Sequence, residues 1–311
     1  MAANFGIAIT KLLAALLSGS AAMLAEAVHS FADTANQILL LIGGRQAKKS
    51  PDEEHPFGYG RERYLYAFIV AIVLFSVGGA YSGYEGIQKL FEPHHAIENW
   101  WLPILIIVIS IVLESFSLRT ARRESLPAKG AGSWISFIRR AKAPELPVVL
   151  FEDTAALTGL AFALLGVGLT VITGNPVFDA LGTLLIGLLL VTVAIALGTV
   201  TKSLLIGEGA EPDVVARIRA AFDAHPRTES LIHLRTLYLG PDELLVAAKV
   251  SFPRETPLVE VASAIDDVEA DIRAQVPAAR VIYIEPDIYK ATGDSAAGDA
   301  VTDAIVIRSV D

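Results

Sequence analysis

Apolar residues fill six blocks over the first two thirds of the chain, at about 2 to 17, 20 to 43, 64 to 91, 101 to 119, 147 to 172 and 177 to 203. All but the first are near the length an α-helix needs to cross a bilayer. The first is shorter, which fits either a thin amphipathic helix or a start codon placed downstream of the native one. Ser18-Gly19-Ser20 and Thr173-Gly174-Asn175-Pro176 are tight breaks between blocks. At the second, Asn175 can cap and Pro176 can open the helix that follows. Both pairs of blocks therefore read as helical hairpins.

After Lys202 the pattern becomes that of a small soluble domain. A helical stretch (211 to 224), an alternating strand (231 to 238), a turn at Gly240-Pro241-Asp242 and a strand (244 to 252) precede a helix starting near Pro257 and a last strand (280 to 285). Three strands with two helices on one face bury one modest core in an α-β-β-α-β, ferredoxin-like order. The predicted fold is a polytopic α-helical membrane protein: six transmembrane helices over 1–204, an α/β domain over 205–290, and a disordered tail over 291–311, rich in small and polar residues.

Composition agrees, with 311 residues, 53% of them hydrophobic and 19% charged, and a positive mean hydropathy. Cysteine is absent, so disulfides and thiolate sites are excluded and any metal must be held by nitrogen and oxygen. The net charge of −9 does not suggest nucleic-acid binding. The first apolar block lacks the basic flank of a cleavable signal peptide. Arg45, Lys48, Lys49, Arg61 and Arg63 lie between the second and third blocks; Arg119, Arg122, Arg123, Lys129, Arg139, Arg140 and Lys142 lie between the fourth and fifth. The opposite loops are nearly free of Lys and Arg, which places these two loops, and with six spans both termini, in the cytoplasm.

Within the second block, Glu26, His29 and Asp33 interrupt an otherwise apolar run. At about 100° per residue they fall within roughly 60° of one another, and Gln37 extends the stripe. Ionisable groups at membrane depth point to function. Two carboxylates and a neutral imidazole suit a divalent cation and retain a nitrogen that favours zinc. Such ligands bind metal only when deprotonated, so loading expels protons and protonation ejects metal.

The run from Ser18 to Asp33, the His55-Pro56-Phe57-Gly58 loop, six spans and a small α/β tail domain resemble the cation diffusion facilitator family of divalent-metal/proton antiporters. Leu150-Phe151-Glu152-Asp153-Thr154-Ala155-Ala156 with Thr173-Gly174-Asn175-Pro176 is similar to the branch that contains the mitochondrial zinc transporter nine and its bacterial relatives. The resemblance implies an ion held between the second and fifth helices by pairs at i and i+4. His29 and Asp33 match the first pair. Asp153 matches the second position of the other pair, but Val149 stands where zinc-transporting members usually have histidine. Glu152 is the nearest substitute, yet it points about 100° from Asp153 on a helix and reaches the site only by distortion or through water. Three ligands plus water and a Glu-assisted fourth both remain open. The blander readings are a structural hydrogen-bonded His29–Asp33 pair, Asp153 as a helix N-terminal charge, and Glu152 as a water-facing acid.

Other polar residues have their own expectations. Glu26 is a relay or outer-shell group or an interhelical hydrogen-bond donor or acceptor; Glu114, with Ser110 and Ser117, forms a polar packing stripe or cavity lining; Asp179 is a capping or interfacial residue rather than a ligand; Lys11 snorkels or pairs with an acid. His55 stands in the loop, but Tyr59 occupies a position where relatives carry another histidine. His94 and His95 form an exposed pair. His233 sits on the first strand, while Lys249 and Tyr283 occupy positions near those of metal-binding relatives, which implies a tail domain that serves dimerisation with metal sensing reduced.

The reading is a homodimeric inner-membrane or plasma-membrane antiporter that exports Zn²⁺ in exchange for protons through His29, Asp33, Asp153 and Glu152, with lipid around it and no cofactor. The alternatives are a Mn²⁺, Fe²⁺, Co²⁺ or Ni²⁺ transporter, since oxygen ligands harden the site, and a membrane scaffold that no longer transports. An enzyme is not expected, because the chain carries no phosphate-binding glycine loop, nucleophile elbow or H-E-x-x-H pair.

Overall fold

The computed structural model describes residues 2–91, 101–130 and 132–288. His94, His95 and the 291–311 tail lie outside the described residues. Contacts divide the chain into two compact units, broadly the helical N-terminal part through Glu208 and the α/β part that follows.

The helical unit opens with α1 (Ala2–Ser18) and α2 (Ala21–Gln46). Gly19 turns the chain between them with a φ of 68°, in the left-handed region where a side chain would be strained. Ser20 then caps α2, its hydroxyl accepting from the Met23 N–H at 3.2 Å. The third apolar block starts at Glu62 and is a rod of three pieces: α3 (Glu62–Val73), a π-helical segment (Leu74–Ala80) and α4 (Tyr81–Phe91). Sequence periodicity does not show the π segment, because its apolar residues fit an α pattern equally well.

The fourth block is longer than its apolar core: α5 (Trp101–Lys129) carries Arg119, Arg122, Arg123 and Lys129 on helix rather than loop. A short α6 (Trp134–Arg140) follows, its Trp134 ring lying under the Arg122 and Lys129 cations at 5.4 and 5.2 Å. The last two blocks are α7 (Glu145–Thr173) and α8 (Val177–Ile206). Between them Gly174 adopts a φ of 68° and Asn175 Oδ1 accepts from Val177 N at 3.1 Å, while Pro176 takes the N-cap position and α8 opens one residue later than expected. Glu62–Phe91, Trp101–Lys129, Glu145–Thr173 and Val177–Ile206 are long and apolar enough to cross a membrane. α2 packs against α1, α3, α7 and α8, which places its polar face inside the bundle.

Asp179 of α8 fixes the start of α2. The Ser20 hydroxyl donates to its Oδ1 at 2.7 Å and the Ala22 N–H approaches the same oxygen at 3.4 Å, while Asp179 N donates to Thr170 Oγ1 at 2.9 Å. Asp179 thus serves the terminus of α2 across a helix–helix contact rather than that of its own helix. Asp179→Ala strips a buried acceptor from the α2 terminus and is expected to cost about 1–3 kcal/mol, read as a lower thermal midpoint in detergent, with Asp179→Asn between it and the native protein.

The second unit holds α9 (Pro212–Ala224), β1 (Ser230–Gly240), β2 (Glu243–Ser251), α10 (Leu258–Gln275) and β3 (Ala279–Asp287). The sheet order is β1-β2-β3, with β2 and β3 parallel and Val246 opposite Ile282. Ile218 and Phe222 of α9 and Val261, Ala264, Val268 and Ile272 of α10 bury against Leu244, Val246 and Val250. The parallel pairing follows from the α10 crossover, which returns the chain to the same end of the sheet.

Candidate functional site

The site is built on α2. Its sequence alternates small and large apolar residues around Glu26, His29, Ser30 and Asp33, all buried, with Glu26 fully so. His29 Nδ1 lies 3.4 Å from Asp33 Oδ1, one helical turn on. Neither ring nitrogen of His29 has a hydrogen-bond partner among the described residues, nor does Asp33 Oδ1.

α7 supplies the opposing acids, both buried. Glu152 brings its carboxyl group into side-chain contact with that of Asp33, leaving its Oε1 without a hydrogen-bond partner. Asp153, next on the helix and rotated by about 100°, instead accepts from the Ser117 hydroxyl of α5 at 3.0 Å. So the structure brings His29, Asp33 and Glu152 together and places Asp153 beside them, turned toward α5. Among the described residues, no three His, Asp or Glu side chains yet converge closely enough to hold a metal. No distortion brings Glu152 inward: α7 is an unbroken helix rotated so that Glu152 faces α2.

Asn36 joins this face and was not singled out by sequence. It is buried with both amide atoms lacking hydrogen-bond partners among the described residues. Its signal was its spacing, i+7 from His29 and i+3 from Asp33, on a helix otherwise read through its charged groups. Gln37, the residue chosen for that stripe, is only partly buried.

Most of the buried side-chain atoms without a hydrogen-bond partner among the described residues lie on α2 and α7, among them Glu26 Oε1, both His29 nitrogens, Asp33 Oδ1, both Asn36 amide atoms and Glu152 Oε1. Buried polar atoms without partners cost about 1–3 kcal/mol each, and native proteins keep few of them. An imidazole and carboxylates borne on facing helices supply the nitrogen and oxygen donors whose chemistry suits a divalent cation and protons.

Farther along α2, Glu26 has one carboxylate oxygen partnered and the other not. Lys11 of α1 does not snorkel. It is fully buried, with Nζ 3.2 Å from Glu26 Oε2 and 2.8 Å from Ser30 Oγ. Glu114 of α5 is within electrostatic range of Lys11, Glu26, Asp33, Glu152 and Asp153.

The accessory positions are occupied by the chain itself. In the loop after α2, Asp52 accepts from the Tyr59 hydroxyl at 2.6 Å and from the His55 N–H at 2.7 Å, and the His55 ring lies on Tyr59 with centroids 4.3 Å apart. The Asp52 carboxylate pushes the Tyr59 phenol up to about 12. In the α/β unit Lys249 of β2 reaches Asp287 at 3.0 Å and Glu285 at 3.2 Å on the neighbouring strand, and those hydrogen bonds hold its ammonium above the usual lysine range. Tyr283 is exposed, and His233 stands apart from any ligand cluster among the described residues. A protein cation therefore sits where carboxylates would otherwise invite a metal ion.

Comparison with known proteins follows the same lines. The chain is 37% identical over 245 residues to the mitochondrial proton-coupled zinc antiporter SLC30A9 of Xenopus laevis, an overlap of 78% of this chain and 44% of that protein. It is 34% identical to the human protein of that name, over 78% of this chain and 43% of that protein, and 32% identical to metal tolerance protein C4 of Arabidopsis thaliana, over 76% and 52%. The chain spans about half the length of these relatives. The model of the cation efflux transmembrane domain matches residues 1–206, and that of the cation efflux protein cytoplasmic domain matches residues 210–287. With both models filled in order along nearly the whole described chain, this protein belongs to the cation efflux, or cation diffusion facilitator, family.

Proposed function

We propose that the chain is a proton-coupled transporter of divalent cations, Zn²⁺ first among them, which binds the ion between α2 and α7 through His29, Asp33, Glu152 and Asp153. The observation that carries this reading is the patch of buried, partnerless donors on those two helices. Two facing carboxyl groups repel when both are ionised in a medium of low dielectric, and either a divalent cation or protons between them relieve the repulsion. The two occupants exclude each other because the ligands must be deprotonated to bind metal. Exchange follows from that competition once the site opens to each side in turn. Asp153 stands at the edge of this set, bonded to Ser117, and lends its charge to the ion from there.

Six crossings, with α1 and α2 added to the four long apolar helices, put the basic α2–α3 and α5–α7 connections and both termini on the cytoplasmic side of a plasma or inner membrane. The α/β domain pairs two copies into a homodimer. The names of the SLC30A9 relatives support zinc and proton coupling, and the imidazole of His29 supports a preference for zinc over Mn²⁺, whose chemistry favours oxygen alone.

The test is transport in liposomes carrying an imposed pH gradient. Zn²⁺ uptake is expected to follow the gradient and to stop when a protonophore collapses it. Mn²⁺ flux without Zn²⁺ flux would reassign the cargo, and a folded dimer that moves neither ion would favour the scaffold.

A further inference from the structure

The transport site uses the face of α2 that meets α7, yet a second pair of charges lies one turn away and takes no part in holding the ion. Lys11 is 0% exposed and Glu26 is 0% exposed. Their contact is 3.2 Å, and the ammonium is also held by Ser30 Oγ at 2.8 Å, so Lys11 ties α1 to two successive turns of α2. Burying a lysine and a glutamate is costly, and replacing such a pair with apolar residues often leaves stability unchanged or improved. Stability alone does not account for a pair of charges there.

Two features show that Glu26 is placed within reach of the ion's surroundings rather than hidden from them. Its second oxygen, Oε1, has no hydrogen-bond partner among the described residues. That oxygen points at Gly159 of α7, where a Cβ would come within 2.6 Å of it, so α7 is cut back at the one position that faces this carboxylate. Glu114 of α5 lies within electrostatic range of Glu26 and also of Asp33, Glu152 and Asp153, and the charge of Lys11 reaches His29 and Asp33 as well as Glu26. Without a resident cation, Glu26 would be one more carboxylate in this region, available to the metal ion or to a proton.

We propose that Lys11 is a built-in countercation that withholds Glu26 from the transported ion, so that its fixed positive charge sets how tightly the α2–α7 site holds metal. This rests on the transport reading above and adds a residue of α1 to it. Lys11 acts as a positioning residue, through Glu26 and through the field it imposes on His29 and Asp33. A site with Lys11 binds its ion less tightly than the same ligands would alone, which favours release on the far side of the membrane. Loss of the ammonium frees Glu26 either to stay ionised and strengthen the hold on Zn²⁺ or to carry a proton that Zn²⁺ then displaces.

The experiment is calorimetric titration of the full-length protein in detergent with Zn²⁺ at fixed pH, in two buffers of different ionisation enthalpy, which yields Kd and protons released per ion. Lys11→Met is expected to tighten Kd by about tenfold or more, or to add about one proton to the count. Glu26→Gln, which leaves Lys11 uncompensated, is expected to weaken Kd by a similar factor. The double variant K11M/E26Q keeps the net charge and is expected to return both quantities to within about threefold of native, a reversal that a purely structural role would not produce. If Lys11→Met fails to fold, Glu26→Gln and the double variant decide by the same criteria. Native Kd and proton count in folded Lys11→Met, or in Glu26→Gln where that variant decides, would overturn the inference while leaving the transport reading intact. A native protein that binds no zinc would overturn both.

Discussion

Asp33→Ala is expected to abolish proton-driven zinc flux in liposomes while leaving the protein folded and its oligomeric state unchanged. Loss of a hydrogen-bonded group behind a metal ligand costs about 10–100-fold, so loss of a ligand itself is expected to exceed about 100-fold. Asp33 is central because it touches both halves of the site, with His29 Nδ1 at 3.4 Å along its own helix and Glu152 across from it on α7. Removing its carboxyl relieves the repulsion with Glu152, so the fold should tolerate the change even as the ion loses its anchor. The two acids of α7 are expected to separate. Glu152→Gln, at the residue facing Asp33, should fall within a few fold of Asp33→Ala, whereas Asp153→Asn, at the residue bonded to Ser117, should retain measurable flux. Equal losses for the two would mean that Asp153 leaves Ser117 in the loaded state, and Ser117→Ala would then raise zinc affinity by freeing it.

The reason sequence named these acids but not their arrangement is geometric. The ligand spacing of His29 and Asp33 depends only on helical periodicity, which local sequence fixes. Which of two adjacent acids on α7 faces α2 depends on the rotation of one helix against another, and that is decided by the packing of Gly159, Leu160 and Ala163, whose sizes carry no directional label. The family pattern pointed to Asp153, and the helix rotation brings Glu152 against Asp33. Asn36 escaped because Gln37, the next residue, lies as near the same stripe at about 100° per residue, and helical periodicity alone does not choose between the two amides.

The architecture was more legible. The apolar blocks, the tight breaks at Ser18-Gly19-Ser20 and Thr173-Gly174-Asn175-Pro176 and the α-β-β-α-β order all appear where local chemistry puts them. What periodicity did not carry was the π segment and the helical continuation of α5 through Arg119–Lys129. Basic residues are good helix formers, so a charge run that reads as loop in a membrane protein can extend a helix into water. Lys11 was ambiguous for a related reason: a lysine in an apolar block can snorkel or pair, and only a tertiary contact, with Glu26 15 residues on, decides between them.

Gly187→Leu is expected to prevent the helical unit from packing. A Cβ at Gly187 of α8 would lie 2.7 Å from Gly83 N, 3.0 Å from Gly83 Cα and 3.1 Å from Gly79 O, all backbone atoms of the rod formed by the π segment and α4. Backbone cannot step aside as a side chain tip does, so the two helices must part along a seam that also brings the Gly79 and Gly86 positions close to Val191 and Leu184. In a bilayer, small residues at such seams allow the close van der Waals contact that holds helices together. Overpacking ordinarily costs about 1–3 kcal/mol, and a leucine against unyielding backbone belongs at or beyond the upper end. The expected result is loss of monodisperse protein in detergent chromatography, with Gly187→Ala showing a lower thermal midpoint. Gly83→Ala supplies the contrast from the other side of the same contact: its own Cβ meets nothing within 4 Å, so the substitution is expected to be neutral or to stabilise by about 0.5–1 kcal/mol through the helix preference of alanine. If both glycines tolerated alanine equally, the close approach of α8 to the rod would not be what holds them together, and the seam would lose its place in the stability of the bundle.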